Sequence, residues 1–189
     1  MPHFNHLLKI TLVLLTTIAS LPNVSADDKA AAQAELRSMR IDALNQLYKE
    51  NPKAKKQIRS SAGYGVFGVM GAQILIFGGS GGRGIVRDNL TGRDTFMKMG
   101  SVSAGLGVGF KDIRTILIFR NRNILKQFLN DGWVFAGEAS AVAKSGTEGG
   151  SAGELETPEG ISIFQITKTG LMANGSVQET KYWKDEDLN

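Results

Sequence analysis

Hydrophobic positions recur along this chain with two successive periods. Between residues 27 and 48, Leu36, Met39, Ala43, Leu44 and Leu47 stand three or four apart, the spacing that lines up one stripe along an α-helix. Asn51-Pro52 then reads as a cap followed by proline at the first helical position, which predicts a second short helix over 52–60. At Gly63 the pattern shifts to period two. All 23 glycines fall between Gly63 and Gly175, interleaved with short β-branched and aromatic runs, the grammar of strands with frequent turns. The expected strands are 64–69, 73–77, 84–89, 95–99, 101–110, 113–120, 133–144, 161–166 and 171–180. Thr91-Gly92 and Thr169-Gly170 have the composition of hairpin turns.

The stretch 101–110 alternates most cleanly. Ser101, Ser103, Gly105, Gly107 and Gly109 occupy one face, and Val102, Ala104, Leu106, Val108 and Phe110 the other, so one side is apolar and the other nearly bare. Residues 121–130 return to helical spacing behind an asparagine cap, with Ile124, Leu125, Phe128 and Leu129 as the packed stripe. The acidic, glycine-rich stretch 145–159 reads as a mobile loop, and residues 79–84 as a flexible hairpin loop. The fold expected from this order is α+β: a largely antiparallel β-sandwich or barrel of about eight strands, with N-terminal helices covering one side or end and one short inserted helix.

Ahead of these elements, residues 1–26 have the parts of a secretory signal: Lys9, a twelve-residue apolar run from Ile10 to Leu21, Pro22, and the small-residue site Val24-Ser25-Ala26. A spanning helix needs about 18 or more apolar residues, so cleavage and export to the periplasm or exterior is the expectation. Removing 26 of 189 residues leaves 163, enough for one domain: a helical part over 27–60, a glycine-rich β part over 61–181 and a tail over 182–189. The chain has no cysteine, and its two histidines, His3 and His6, lie within the signal. A processed protein would then have neither imidazole nor thiolate, which excludes a Ser-His-Asp triad, a cysteine nucleophile, a Cys/His zinc site and a disulfide.

Charge is unevenly spread. Residues 27–126 carry 17 Lys/Arg against 8 Asp/Glu, while 127–189 carry 4 against 10. Folding can mix two such sets into ordinary solvated faces, or it can leave a basic side that attracts phosphates. Lys49, Lys53, Lys55, Lys56 and Arg59 are the compact case, with Glu50 the only acid among them. An anionic surface gains on the order of 1 kcal/mol per nearby cation, so such a group suits reversible, salt-sensitive attachment.

Gly79-Ser80-Gly81-Gly82-Arg83-Gly84 has the letters of a dinucleotide fingerprint, but Ile85-Val86-Arg87 after it reads as strand, where that motif requires a helix. Nucleotide binding is therefore not expected. Arg83 and Arg87 remain candidates for an anionic headgroup, since glycine amides beside a guanidinium make a small anion-binding concavity. The carboxylates Asp88, Asp94, Glu154, Glu156 and Glu159 read as solvated, and Glu138 as an outward charge on a strand, so none makes a glycosidase pair. Arg114, Arg120, Arg122 and Lys126 read as strand-end cations, and the absence of interleaved aromatics argues against nucleic acid.

From about residue 40 to 181 the chain resembles the SYLF-domain family. The motifs are, in order, Ala62-Gly63-Tyr64-Gly65-Val66-Phe67, Gly81-Gly82-Arg83-Gly84-Ile85-Val86, and Ser103-Ala104-Gly105-Leu106-Gly107-Val108-Gly109 followed by Thr115-Ile116-Leu117-Ile118-Phe119. Phe128 with Gly137-Glu138-Ala139-Ser140 and then Thr169-Gly170-Leu171-Met172-Ala173 complete the series. Gly68 stands where a proline is common in the family, and Asn174 and Glu179 stand for late glycines. The resemblance implies binding to acidic phospholipid through basic residues at the N-terminal helical end. The functional expectation is thus a non-enzymatic, membrane-peripheral domain that uses Lys53, Lys55, Lys56, Arg59, Arg83 and Arg87, without cofactor, metal, nucleotide or nucleic acid. The alternatives are an envelope protein that docks a protein partner and, third, an enzyme built on Lys, Tyr or a carboxylate.

Overall fold

The computed structural model describes residues 25–68, 79–102, 113–135, 142–143, 154–167, 170–171 and 179–189. The expected signal up to residue 24, the strand 73–77, the alternating stretch beyond Val102, Glu138 and the turn residue Thr169 lie outside them.

Two helices open the described chain. α1 (Ala26–Glu50) buries Leu36, Met39, Ala43 and Leu47, the stripe set by the helical spacing. α2 (Pro52–Ser60) buries Ala54 and Ile58. Proline at 52 disfavours helical backbone at the residue before it, and Asn51 accordingly leaves the helix at φ −136° and ψ 84°. Asn51 does not cap α2 with its side chain as expected. Its carbonyl receives the Ala54 N–H at 3.0 Å while its own N–H closes α1 on Leu47 O at 2.7 Å. The third helix, α3 (Arg122–Asp131), is capped as the sequence indicates, by Asn121 Oδ1 accepting from Ile124 N–H at 3.0 Å, and it stops at Gly132 with φ 75°.

Ten strands form one sheet among the described residues. They are β1 (Gly63–Gly68), β2 (Gly79–Asp88), β3 (Asp94–Val102), β4 (Arg114–Phe119), β5 (Trp133–Phe135), β6 (Val142–Ala143), β7 (Glu154–Glu156), β8 (Ile161–Thr167), β9 (Gly170–Leu171) and β10 (Glu179–Lys184). The order is β5-β10-β3-β2-β1-β4-β8-β7-β6, with β9 also on β8, and the paired strands are antiparallel. The α+β class with N-terminal helices is what the sequence indicated.

Both faces of this sheet are buried, and strand alternation divides the apolar residues between them. Phe96, Ile85, Val66, Ile116 and Phe164 form a continuous cross-strand row that packs with Leu36, Met39, Ala43 and Leu47 of α1 and Ala54 and Ile58 of α2. Their immediate neighbours Met97, Val86, Phe67, Leu117 and Ile163 enter the opposite core with Leu125 and Phe128 of α3. Phe67 is central there, with the Tyr182 and Phe128 rings 4.7 and 6.1 Å from its own.

Three expectations change. Residues 79–84 are no loop: they are the first half of β2, paired position by position with β3 from Gly79↔Val102 to Gly84↔Met97. Glycine is used here for space, because a Cβ at Gly84 would overlap the Phe67 ring and one at Gly82 would overlap the Gly68 carbonyl. The separate strands 95–99 and 101–110 begin as one, since β3 runs without a break through Gly100 to Val102. Of the expected strand 133–144, the described residues are β5, which pairs with β10, and β6, which pairs with β7, while 136–141 lie outside them. The supposed tail is anchored: residues 182–184 belong to β10, and Leu188 is buried against the α1 side of the sheet. Asn189 brackets Phe96, accepting its N–H at 3.0 Å and donating to its carbonyl at 2.7 Å, and Gln33 donates to Leu188 O at 2.7 Å.

The Gly84→Ala variant is expected to lose about 1–3 kcal/mol of stability through overpacking against Phe67. Gly81→Ala, whose added carbon meets only Met99 O at 3.9 Å, should stay within about 0.5 kcal/mol of the wild type. Urea unfolding of both variants checks the contrast, and equal losses would remove the steric account.

Candidate anion-binding surface

Among the described residues, several cations of the sheet and α3 meet carboxylates. Arg122 grips Asp88 with two bonds of 2.5 and 2.9 Å, Arg120 pairs with Glu156, and Arg87 takes Asp94 at 2.6 and 3.0 Å. Asp185, fully buried, is in ion pairs with Arg83 Nε at 3.0 Å and Lys98 Nζ at 3.2 Å, and Lys98 also bonds Asp187 at 2.8 Å. Four of the acids read from the sequence as solvated therefore turn out otherwise: Asp88, Asp94 and Glu156 are in ion pairs, and Glu154 is buried in β7. Within the supposed loop 145–159, residues 154–156 are strand. Glu159 is exposed, as expected.

The cations of α2 are not paired in this way. Lys53, Lys55, Lys56 and Arg59 are all exposed, and among the described residues none of them has a carboxylate within ion-pair distance. At 100° per residue, the buried positions Ala54 and Ile58 take one side, and the four cations with Pro52 and Ser60 take the remaining arc. Pro52, Lys55, Lys56, Arg59 and Ser60 line a shallow open depression of about 530 Å³. Lys55 Nζ also lies 5.9 Å from the centre of the Tyr48 ring, within cation–π range.

Two interactions that the sequence did not signal hold α2 in this attitude. Gln57 donates to Glu154 Oε1 at 2.6 Å, with Ser162 Oγ at 3.4 Å, and Asn89 Nδ2 donates to Ile58 O at 2.7 Å. Gln57 was detectable in principle, because it completes an i, i+3, i+4 stripe with Ala54 and Ile58. Its partners are distant in sequence, and no local pattern names them.

Arg83 and Arg87 do not join this surface. Arg87 lies in register with Tyr64, Ile118 and then Ser162, so three strand spacings, about 14 Å, separate it from the strand beneath Gln57. Arg83 is four residues further along β2 and is held by the buried Asp185. Lys49 is exposed in the last turn of α1, where a cation suits the helix dipole.

The α2 charges work against their own helix. Lys53 stands beside its positive N-terminal end, the first turn holds no acid, and the spacings 53–56, 56–59 and 55–59 bring like charges together. Each such contact costs a few tenths of a kcal/mol that helix stability alone would not select. What the arrangement can do chemically is accept several anionic oxygens at once, without first breaking an internal ion pair.

Fold and site together define an α+β domain that carries a basic helix on a two-faced antiparallel sheet. No family model matches the chain. It is similar to Beta cell expansion factor A of Aeromonas veronii, at 29% identity over 170 residues, a match covering 88% of this chain. The matched part spans 63% of that protein, less than two thirds of its length.

Two outcomes follow from these charges. Replacing Lys53 and Lys56 by glutamine is expected to raise the unfolding temperature by about 1–3 °C at low salt, and the gain should vanish in concentrated salt. A destabilised variant in thermal unfolding would contradict the repulsion. Separately, the Arg122 fork, helped by the backbone N–H groups of Thr91 and Leu90, holds the Asp88 carboxyl well below its ordinary value of 3.8 against the opposing effect of burial. A lowered pKa in the folded state gives stability that is complete above that ordinary value and is lost as pH falls through the folded one. Wild-type stability should therefore fall more steeply below pH 4 than that of Asp88→Asn, and equal slopes in acid titration would exclude the pair as the cause.

Proposed function

We propose that this is a non-enzymatic, exported, membrane-peripheral domain that binds anionic phospholipid headgroups through Lys53, Lys55, Lys56 and Arg59. The observation that carries the reading is the unneutralised cation arc of α2, whose internal repulsion an opposing anionic surface would relieve. The resemblance to the SYLF-domain family supports the same end of the chain as the lipid contact. No helix among the described residues is long and apolar enough to cross a membrane, and attachment by surface charge requires none. At about 1 kcal/mol per cation, several together give reversible binding that salt weakens.

Co-sedimentation with vesicles tests this. The protein should pellet with phosphatidylcholine vesicles containing phosphatidylglycerol, remain in solution with phosphatidylcholine alone, and be released by salt. The combined variant Lys55→Gln, Lys56→Gln, Arg59→Gln should lose about 3 kcal/mol of binding, roughly a hundredfold in partitioning. Equal binding to both vesicles, or binding indifferent to salt, defeats the proposal. Capture of an acidic envelope protein by α2 that persists after delipidation would favour the partner-docking alternative.

A further inference from the structure

Among the ion pairs of the described residues, Asp94 stands apart. Asp88 pairs with Arg122, Glu156 with Arg120, and Asp185 and Asp187 with Arg83 and Lys98. Asp94 faces three guanidinium groups. Arg40 Nη1 and Arg87 Nε each lie 2.6 Å from Oδ1, and Arg37 Nε lies 3.7 Å from Oδ2. Among the described residues no other carboxylate reaches these arginines, so the cluster keeps an excess of two positive charges. Arg40 is nine-tenths buried at 9% exposure, where an uncompensated cation is costly.

The geometry also leaves donors open. A guanidinium has five N–H groups. Arg87 spends Nε and Nη2 on Asp94, Arg40 spends Nη1, and Arg37 gives Nη2 to Gln33 Oε1 at 3.3 Å. Arg37 and Arg87 side chains are 43% and 30% exposed, so an incoming ligand can reach them. Arg37 is held over the Phe96 ring with its central carbon 5.2 Å from the ring centre, which sets the plane of its fork before any ligand arrives.

We propose that Arg37, Arg40 and Arg87, pre-positioned by Asp94, form a second anion site that takes the dianionic phosphate of a phosphomonoester. Two charges on the ligand match the excess of two on the protein, and arginine forks fit phosphate oxygens in pairs. The site stands on different residues from α2 and does not depend on the lipid reading of that helix. Its affinity should weaken below about pH 6, where the phosphomonoester takes back its second proton.

Titration calorimetry of the whole protein tests the site with three probes: inorganic phosphate, glycerol 1-phosphate, and phosphatidylcholine vesicles containing phosphatidic acid. Arg37→Gln leaves the Arg40 and Arg87 contacts to Asp94 in place and should keep the wild-type unfolding temperature while weakening binding by about tenfold or more. Arg37→Lys, which retains the charge but not the fork, should be weakened as well. Neutralising Lys55, Lys56 and Arg59 should leave the soluble probes unaffected. Saturable binding of phosphate or glycerol 1-phosphate that Arg37→Gln removes establishes the site for free phosphomonoesters. Sensitivity to Arg37→Gln with the phosphatidic acid vesicles alone establishes it for a lipid-borne phosphate. The proposal is overturned if the wild type binds none of the probes, if Arg37→Gln binds them unchanged, or if only the α2 changes remove binding, an outcome that would leave the α2 reading intact.

Discussion

The structure depends on a sheet that must be buried on both faces at once. Val66 and Phe67, adjacent in β1, enter different cores, and the same division runs through Ile85 and Val86, Phe96 and Met97, and Ile116 and Leu117. Large rings can be accommodated this way only if neighbouring positions on the same face, along the strand and across it, give up their side chains. Gly65 and Gly84 do so for Phe67, since an added Cβ at either would meet its ring. The glycine density is thus a packing requirement as much as a turn signal, and segments that look loop-like by composition become central strand.

This constraint reaches the surface through α2. Its short apolar stripe, Ala54 and Ile58, is seated on the same face of the sheet as the α1 stripe, and Gln57 ties it to β7 and β8. With that side committed, the rest of the helix circumference has to face water. The cations on it are displayed because the sheet has taken the opposite side.

Burial also bears on which charges are paired. Near the sheet an ion loses hydration that a counter-ion can replace, and Asp88, Asp94, Glu156 and Asp185 supply that compensation to the cations beside them. On α2 the solvent screens each lysine well enough for it to stand alone, leaving only the modest mutual repulsion of neighbours. Asp94 lies between these limits, with too little negative charge for the arginines around it. The positive balance of residues 27–126 is therefore distributed by depth as much as by position along the chain.

The amino-acid sequence by itself determined the local elements: both N-terminal helices with their break at Asn51-Pro52, the capped helix after Asn121, the period-two strands and the row of cations on α2. Those features rest on spacings of two to four residues, which a linear pattern records. Tertiary structure alone decided which strands are neighbours, so that β5 pairs with β10, β6 pairs with β7 and the 79–84 glycines become ladder rather than loop. It also decided which cations are free to bind. Arg40 and Asp94 are 54 residues apart, and Arg83 in the middle of the chain meets Asp185 near its C-terminal end. Ion pairing depends on distance in space, which spacing along the chain does not encode.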